Sequence, residues 1–239
     1  MESVLLYYKD VIFSCIPQLK PCDGFDQNNS AHIYDVYTHI VKTVVGVKSG
    51  KFEVRMAALL HDIAKPDVYF YNEEKKRGSF IGHPEIGATI TENVLRSLKC
   101  SSFEIRYITF LVLQHDRTIA PTKKSVKKVM AECGTRECLD DLFELMEADM
   151  LAHAGFIIEY KMPMIQKAKE IREIVTIDNE MFLKKDLAIN GGDLINVGFE
   201  QGIELGRRLE EIYVMVRDGE LLNDRNVILK YIKEGLSHA

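Results

Sequence analysis

The chain has 239 residues, of which 46% are hydrophobic and 28% are charged. This composition is typical of a globular protein with an ordinary core, and it excludes a disordered chain, a collagen and a small disulfide-stapled protein. The formal net charge of −5, from 31 basic and 36 acidic residues, argues against a dedicated duplex-DNA binder. A phosphorylated substrate stays possible, because it needs only a local positive site.

Cysteine usage and the N-terminal segment indicate the compartment. The five cysteines form no C-x-x-C pair, which is typical of reduced thiols inside a cell. The N-terminus is apolar in patches, but Glu2, Lys9 and Asp10 interrupt it, unlike a signal peptide. No window approaches the ~18 apolar residues that a membrane span requires. We therefore expect a soluble cytoplasmic protein without a membrane partner.

Hydrophobic periodicity predicts an all-α fold, a helical bundle with one small β-hairpin. Ser30 is the expected N-cap of the second helix, Pro66 should lie beyond the third, and a break is expected near Met162-Pro163. Two short β-like runs, VYFYN (68–72) and GSFIG (78–82), predict the hairpin. The expected helices are 3–14, 31–47, 52–64, 84–99, 102–115, 122–133, 138–153 and 163–176. The predicted division is an N-terminal helix and loop (1–30), a main domain (31–177) and a C-terminal helical subdomain (178–239).

Several histidines and acids occupy helix positions where apolar residues are expected. His61 falls on the apolar stripe of the 52–64 helix, and Asp62 lies about 100° round from it. An ionised carboxylate is very costly to bury without a partner, and coordination of a metal removes that cost. Asp149 continues a stripe of Leu142, Leu145 and Met146 in the same way. These positions point to metal ligation.

The pattern extends to other histidines. His115 aligns with the apolar residues of its helix, and His39 shares a predicted helix face with His32 and Asp35. His83 stands at a helix entrance, before a proline. Taken singly, each histidine is more often a hydrogen-bonded core residue, and Asp149 could pair with Arg55 or Arg106. The joint pattern is far more specific than any member, and it predicts a metal site.

The motif HDIAKP (61–66), with a histidine upstream and a buried aspartate downstream, resembles the HD-domain metal-dependent phosphohydrolase superfamily. More closely, the chain resembles the HD region of bacterial CCA-adding tRNA nucleotidyltransferases through YDVYTHIVKTV (34–44), RMAALLHDIAKP (55–66), FIGHPEIGA (80–88), LQHD (113–116) and LMEADMLAH (145–153). Residues 187–232 are similar to the helical tail that follows in those enzymes. The 27 residues before the match are too few for their nucleotidyltransferase head, so we expect no nucleotide addition to tRNA.

The resemblance implies a two-metal centre. The first metal would be held by His39, His61, Asp62 and Asp149, and the second by His83 and His115, with Asp62 as the bridge. Imidazole and carboxylate ligands suit iron, manganese, nickel, cobalt or zinc, and magnesium is a further option.

Other residues near the predicted ligands are candidates for further roles. Lys65 would contact a phosphate oxygen, although it could equally be a cation favoured by a helix C-terminus. His32 and Asp116 are candidates for substrate contact or proton delivery. Asp35 is a candidate for accepting a hydrogen bond from His39 or His32 and so fixing the orientation of the ring. Glu85 is a candidate for the same role, or alternatively for capping a helix.

Two functions follow as expectations. The first is a metal-dependent phosphohydrolase, a phosphomonoesterase or phosphodiesterase, acting on a nucleotide, a cyclic nucleotide or an RNA end. The second is a tRNA- or RNA-binding module with a structural metal, supported by the lysine-rich run KKSVKK (123–128). That run could also be a solvated helix face.

Small proteins of the superfamily can also act on dinucleoside polyphosphates or signalling nucleotides, but the G-Y-P motif of cyclic-dinucleotide phosphodiesterases is absent. The oligomeric state is left open.

Overall fold

The structure is a computed structural model that describes residues 1–177 and 184–236. The predicted all-α fold with one small hairpin is confirmed. Within the described residues the α-helices are α1 (Glu2–Tyr7), α2 (Lys9–Cys15), α3 (Val36–Gly46), α4 (Phe52–Leu60), α5 (Lys65–Val68), α6 (His83–Ser97), α7 (Ser102–Gln114), α8 (Lys123–Cys133), α9 (Arg136–Leu151), α10 (Gly155–Ile177), α11 (Gly191–Asn196), α12 (Ile203–Arg217) and α13 (Arg225–Leu236). The strands are β1 (Phe70–Asn72) and β2 (Arg77–Ser79), which pair antiparallel with Tyr71 opposite Gly78.

The chain divides into two compact units. The first comprises Met1–Ile119 and Glu137–Lys169, and the second comprises Ala120–Arg136 and the chain from Glu170 onward. In the first unit α6 packs against α7, and both α3 and α7 pack against α4. Its largest fully buried side chains include Tyr37, Leu60, Ile108 and Phe143. The predicted subdomain boundary at residue 178 lies outside the described residues.

The second unit has its own hydrophobic core. Leu194 of α11, Ile212 of α12, and Ile228 and Ile232 of α13 are completely buried in one cluster. Burial of these aliphatic side chains is the main favourable contribution to a small helical unit of this kind. Among the described residues, no helix is both long and apolar enough to cross a lipid bilayer.

The second predicted helix is shorter than its periodicity indicated. It begins at Val36, because Asp35 is the N-cap and its Oδ1 accepts a hydrogen bond from the Thr38 amide (3.1 Å). The prediction of Ser30 as the cap was therefore wrong. His32 lies in the preceding loop, where it forms an isolated antiparallel bridge with His153. The shared helix face of His32, Asp35 and His39 does not exist.

Proline positions account for two further differences. The 52–64 helix ends at Leu60, and Pro66 lies in the first turn of α5, where its missing N–H would have no helical partner. The predicted break at Met162-Pro163 was wrong, because α10 continues through Pro163. Pro163 and the residue one turn before it, Glu159, are both exposed, so water can solvate the carbonyl that loses its hydrogen bond.

Candidate metal centre and adjoining cavities

Six predicted ligands come together in the first unit, from five places in the helical framework. His39 lies in α3, His61 and Asp62 follow α4, His83 begins α6, His115 follows α7, and Asp149 lies in α9. All six are more than nine-tenths buried. Burial of so many ionisable groups is costly unless they are mutually paired or bind an ion.

The four histidines share one orientation. Each Nδ1 faces a backbone carbonyl: His39 that of Ala152 (3.3 Å), His61 that of Ala58 (2.8 Å), His83 that of Phe80 (2.9 Å) and His115 that of Val112 (2.6 Å). A carbonyl can only accept, so Nδ1 is assigned the proton in each ring. Each Nε2 therefore has its lone pair free for a cation, which is how metal-binding histidines are held.

The Nε2 atoms converge on the two carboxylates. Asp62 Oδ2 lies 3.3 Å from Nε2 of His39 and 3.2 Å from that of His61. The other oxygen of Asp62, Oδ1, lies 3.4 Å from His83 Nε2 and 3.7 Å from His115 Nε2. Asp149 Oδ1 is 2.8 Å from His39 Nε2. Asp62 thus stands between two histidine pairs and directs one oxygen to each.

The charge balance of this cluster requires a cation. The two histidine pairs approach to 3.4 Å and 3.2 Å between Nε2 atoms, distances at which two lone pairs repel each other. Burial lowers the pKa of His61, but Asp62 and Asp149 outweigh it and raise the pKa to about 10. Burial likewise opposes ionisation of Asp62, but His61 and Lys65 hold its pKa well below the ordinary value. The carboxylates therefore recruit either a proton or a metal ion.

The donor set fits divalent transition metals. In the part of the chain that the structure describes, three groups of donors have their ligand atoms within 4.8 Å of one another: His39, His61 and Asp62; Asp62, His83 and His115; and His39, Asp149 and His153. Imidazole nitrogen and carboxylate oxygen suit manganese, iron, nickel, cobalt or zinc. Magnesium prefers oxygen ligands alone, so the four imidazoles fit it less well.

Lys65 lies beside the cluster, and it is buried. Its Nζ is 2.7 Å from Asp62 Oδ2 and donates a hydrogen bond to Gln27 Oε1 (2.8 Å). The contact with Asp62 is an ion pair and not a hydrogen bond, since Asp62 Oδ2 accepts no hydrogen bond from the described residues. Gln27, which is itself buried, was not foreseen, since the segment around it has the composition of an ordinary polar loop.

His153 is a second residue that the sequence analysis did not assign to the site. Its Nδ1 donates to the backbone oxygen of Asp149 (2.9 Å), and its ring lies 4.6 Å from the ring of His32, centre to centre. The signal was its position four residues after Asp149, which places both on one face of the predicted 138–153 helix, although α9 ends at Leu151 and His153 lies just beyond it. Nδ1 of His32 is buried and has no hydrogen-bond partner among the described residues, and burial lowers the pKa of His32 to about 2, so its ring is neutral.

Three other predicted residues are not part of the cluster. Asp35 accepts hydrogen bonds from the amides of Gly24 and Thr38, so it caps α3 and does not orient a histidine; backbone carbonyls have that role. Glu85 is exposed in the first turn of α6, where a negative charge complements the helix dipole. Asp116 is exposed next to His115, at the edge of two cavities.

The two cavities open beside the cluster, and both lie in the first unit. One, of about 440 Å³, has basic and polar walls that include Lys65, Arg77, Lys161, His32 and His153. The other, of about 230 Å³, has apolar walls that include Phe143, Met146, Met150, Met164 and Ile165. They share four lining residues: His115, Asp116, Asp149 and Lys161. A ligand could therefore extend from one cavity into the other past two residues of the cluster.

Comparison with known proteins places this framework in a family. The family model of tRNA nucleotidyltransferase domain 2 matches residues 80–232, well over half of the chain. The chain belongs to this family. The matched range includes His83, His115 and Asp149 but begins after His61 and Asp62, so the match does not extend to the HD motif.

Three curated relatives of this family member are longer proteins. A CC-adding tRNA nucleotidyltransferase of Thermus thermophilus is 25% identical over 214 residues, which cover 86% of this chain and 46% of that protein. An A-adding tRNA nucleotidyltransferase of Deinococcus radiodurans is 29% identical over 144 residues, 59% of this chain and 32% of that protein. A CCA-adding enzyme of Streptococcus pneumoniae is 36% identical over 105 residues, 43% of this chain and 24% of that protein. The chain thus spans about half or less of the length of these relatives.

Proposed function

We propose that the first unit is a metal-dependent phosphohydrolase of the HD superfamily, with Asp62 bridging two divalent cations. The observation that carries this proposal is the convergence of four Nε2 atoms on the two oxygens of Asp62 and on Asp149, with every Nδ1 fixed by a backbone carbonyl. A purely structural histidine cluster has no need for four free lone pairs directed at one carboxylate.

The residues around the proposed centre can each take part in phosphoester hydrolysis. Bound divalent cations would activate a water molecule and neutralise charge on the phosphoryl group. Lys65, held by Gln27 and Asp62, presents a fixed positive charge at the polar cavity. Arg77 and Lys161 line the same cavity and can bind phosphate oxygens. His32, neutral and with a free Nδ1, can hydrogen bond to a substrate hydroxyl or phosphate oxygen.

The experiment that tests the proposal compares two isosteric substitutions. Asp62→Asn removes the bridging charge, whereas Asp67→Asn makes the same chemical change at an exposed position five residues away. Hydrolysis of p-nitrophenyl phosphate and bis-p-nitrophenyl phosphate is measured with added manganese, iron, nickel, cobalt or zinc, each in turn, and circular dichroism checks that both variants are folded. We expect the Asp62 variant to lose hydrolysis and the Asp67 variant to retain it. Equal hydrolysis by both variants, or none by the unmodified chain with any of the five metals, would exclude the phosphohydrolase.

A second function, binding of tRNA or another RNA, has its own support. The family match and the names of the relatives concern tRNA, and they favour this function more directly than hydrolysis. In the second unit, α8 displays the KKSVKK run, although Lys124 is partly neutralised by Asp218 (2.9 Å). Under this proposal the metal centre would be structural.

RNA binding is tested by fluorescence anisotropy with labelled tRNA at several salt concentrations. Release of counterions makes affinity for a phosphate backbone fall steeply with salt. We expect the double substitution Lys123→Glu and Lys127→Glu to weaken binding and to flatten the salt dependence. Absence of binding by the unmodified chain at low salt would remove this function. Binding that is unaffected by charge reversal would move the interface away from α8.

A further inference from the structure

The first two helices carry an apolar stripe on their outer side. This N-terminal stripe consists of Met1, Val4, Tyr7, Tyr8, Val11 and Cys15. All six residues are exposed, the first five by more than half of their surface and Tyr7 by 80%. The rings of Tyr7 and Tyr8 contact each other edge to face, with 4.9 Å between their centres. Single exposed apolar side chains are ordinary, but a contiguous group of this kind indicates an interaction surface.

The opposite side of α1 and α2 holds these helices on the first unit. The Phe13 ring is buried, and its centre lies 4.9 Å from that of the Tyr37 ring in α3. The Tyr37 hydroxyl donates a hydrogen bond to the Leu5 carbonyl (3.1 Å), which joins α1 to α3. The inner side of the two helices therefore makes their contribution to the core, and the stripe on the outer side is left for a contact beyond this core.

The composition of the stripe favours a protein as its partner. Tyrosine and methionine are enriched at the centres of protein interfaces, and charged residues, which the stripe lacks, are depleted there. Helices that lie on anionic membranes have a face rich in lysine and arginine, and surfaces that bind nucleic acid follow its phosphates with the same residues. Residues 1–20 contain only Lys9 and Lys20 as basic residues, balanced by Glu2 and Asp10.

The spacing within the stripe favours a second copy of this chain as that protein. Intervals of three, four, three and four residues separate Met1, Val4, Tyr8, Val11 and Cys15. This is the a and d spacing of helices that pack along one another. A two-fold axis can therefore bring the stripe of one copy against the same stripe of another, which is the commonest arrangement in dimers of identical chains.

The charges beside the stripe are compatible with this self-contact. Glu2 forms an ion pair with Lys42 (2.7 Å), and Lys9 forms one with Asp23 (2.8 Å). Both pairs lie within one chain. These charges therefore neither repel a second copy nor require a partner of opposite sign.

The area of the stripe is close to the lower limit for a specific interface. Five large apolar side chains that are each more than half exposed present on the order of 500 Å² per copy, and two copies would bury about 1,000 Å² in total. Interfaces of this size are typical of weak association, so the expected Kd lies in the micromolar range.

We propose that the N-terminal stripe is the contact surface of a weak homodimer, in which α1 and α2 of one copy pack against the same helices of a second copy. The inference goes beyond the proposed functions, since it involves neither the histidine–aspartate cluster nor α8. Its test therefore needs no metal, substrate or RNA.

The test measures the mass of the full chain by sedimentation equilibrium from about 1 μM to about 500 μM, a range that brackets the expected Kd. Two variants receive the same substitution. Val11→Glu places a carboxylate within the stripe, whereas Val227→Glu places one at an exposed valine of α13 that is not in the stripe. Both positions are exposed, so neither change should unfold the chain, and circular dichroism checks this.

We expect the mass of the unmodified chain to rise from one chain toward two across this range. Val11→Glu should raise the Kd by at least about tenfold, because the dimer would bury two like charges without partners. Val227→Glu should leave the Kd unchanged. A mass of one chain throughout the range would overturn the proposal and assign the stripe to a different protein. A dimer that Val11→Glu does not weaken would overturn it as well.

A second measurement needs no substitution, because Cys15 lies in the stripe itself. Mass spectrometry follows the modification of the cysteines by N-ethylmaleimide at low and at high protein concentration. We expect Cys15 to react several-fold more slowly at high concentration, where the second copy covers it, and Cys100, which is not in the stripe, to react at the same rate at both. A mass of two chains together with a Cys15 rate that does not depend on concentration would place the dimer contact elsewhere and overturn the proposal.

Discussion

At the scale of single residues, Lys65 shows how one side chain is fixed for a task. It is buried, its charge is compensated by Asp62, and Gln27 holds it from the other side. A lysine that only complements a helix C-terminus would be exposed. Its burial next to the polar cavity favours the role of a phosphate contact, which was one of two alternatives that the sequence left open.

Lys65→Met should therefore separate hydrolysis from metal binding. We expect kcat for p-nitrophenyl phosphate to fall roughly 10²-fold, the usual cost of removing one group that stabilises transition-state charge. Metal affinity should stay the same or rise, because a positive charge near the ligands is lost. Lys75→Met, on the exposed tip of the hairpin, is the control and should change neither quantity. Loss of metal in the Lys65 variant would show that this lysine organises the ligands instead.

At the scale of elements, His115 directly follows the last residue of α7. The position of His115 therefore depends on a well-formed helix, and the capping residues at the start of α7 contribute to it. Ser101 and Glu104 form a capping box, in which Ser101 Oγ accepts from the Glu104 amide (3.2 Å) and Glu104 accepts from the Ser101 amide (2.6 Å). We expect Ser101→Ala to lower the free energy of unfolding by about 1 kcal/mol. Ser102→Ala, one position later and without a capping bond, should change it by less than about 0.5 kcal/mol. Urea denaturation measures both, and equal effects would remove the cap as the cause.

The hairpin also positions the site, through a close approach of two backbones. The Gly78 amide donates to the Asn28 carbonyl (2.7 Å), and a Cβ at Gly78 would lie only 2.1 Å from the Gln27 carbonyl oxygen. Gly78→Ala must therefore push the hairpin away from the segment that holds Lys65. We expect a lower melting temperature and reduced hydrolysis, whereas Gly155→Ala, with open space around the new Cβ, should leave both unchanged. An unchanged Gly78 variant would mean that this contact does not position Lys65.

Helical periodicity in the sequence predicts which residues are buried, but it does not predict where a helix begins or which distant segments are in contact. The buried positions of His61 and Asp149 could be predicted because helical periodicity places them among apolar side chains. His32 was misplaced because periodicity continues through residues that a cap at Asp35 excludes from the helix. Pro163 was misinterpreted because its cost depends on the solvent exposure of the surrounding turn. Gln27 and the apolar cavity depend on contacts between distant segments, which no local pattern encodes.

At the scale of the whole molecule, the cluster and both cavities lie entirely within the first unit, whereas α8 lies in the second. The two proposed functions therefore depend on different units and can be removed separately by mutation. A chain that loses hydrolysis through Asp62→Asn should keep its affinity for tRNA, if both functions are present.

Metal binding should also stabilise the protein. A ligand that binds only the folded chain at about one hundred times its Kd adds roughly 2.7 kcal/mol, which for a chain of this size corresponds to roughly 5–10 °C in Tm. We therefore expect a chelator to lower the Tm by about that amount and added manganese to restore it. Differential scanning calorimetry with and without chelator is the measurement, and an unchanged Tm would contradict a buried metal centre.

In the proposed metal centre, Asp62 bridges two cations held by four histidines and Asp149. Its most direct test is the metal content of the untagged protein, purified without chelator and measured by inductively coupled plasma mass spectrometry. We expect about two divalent transition-metal ions per chain, falling to about one in His83→Ala. A chain that carries no metal, even after incubation with manganese, iron, nickel, cobalt or zinc, would contradict it, and so would a single ion that His83→Ala leaves in place.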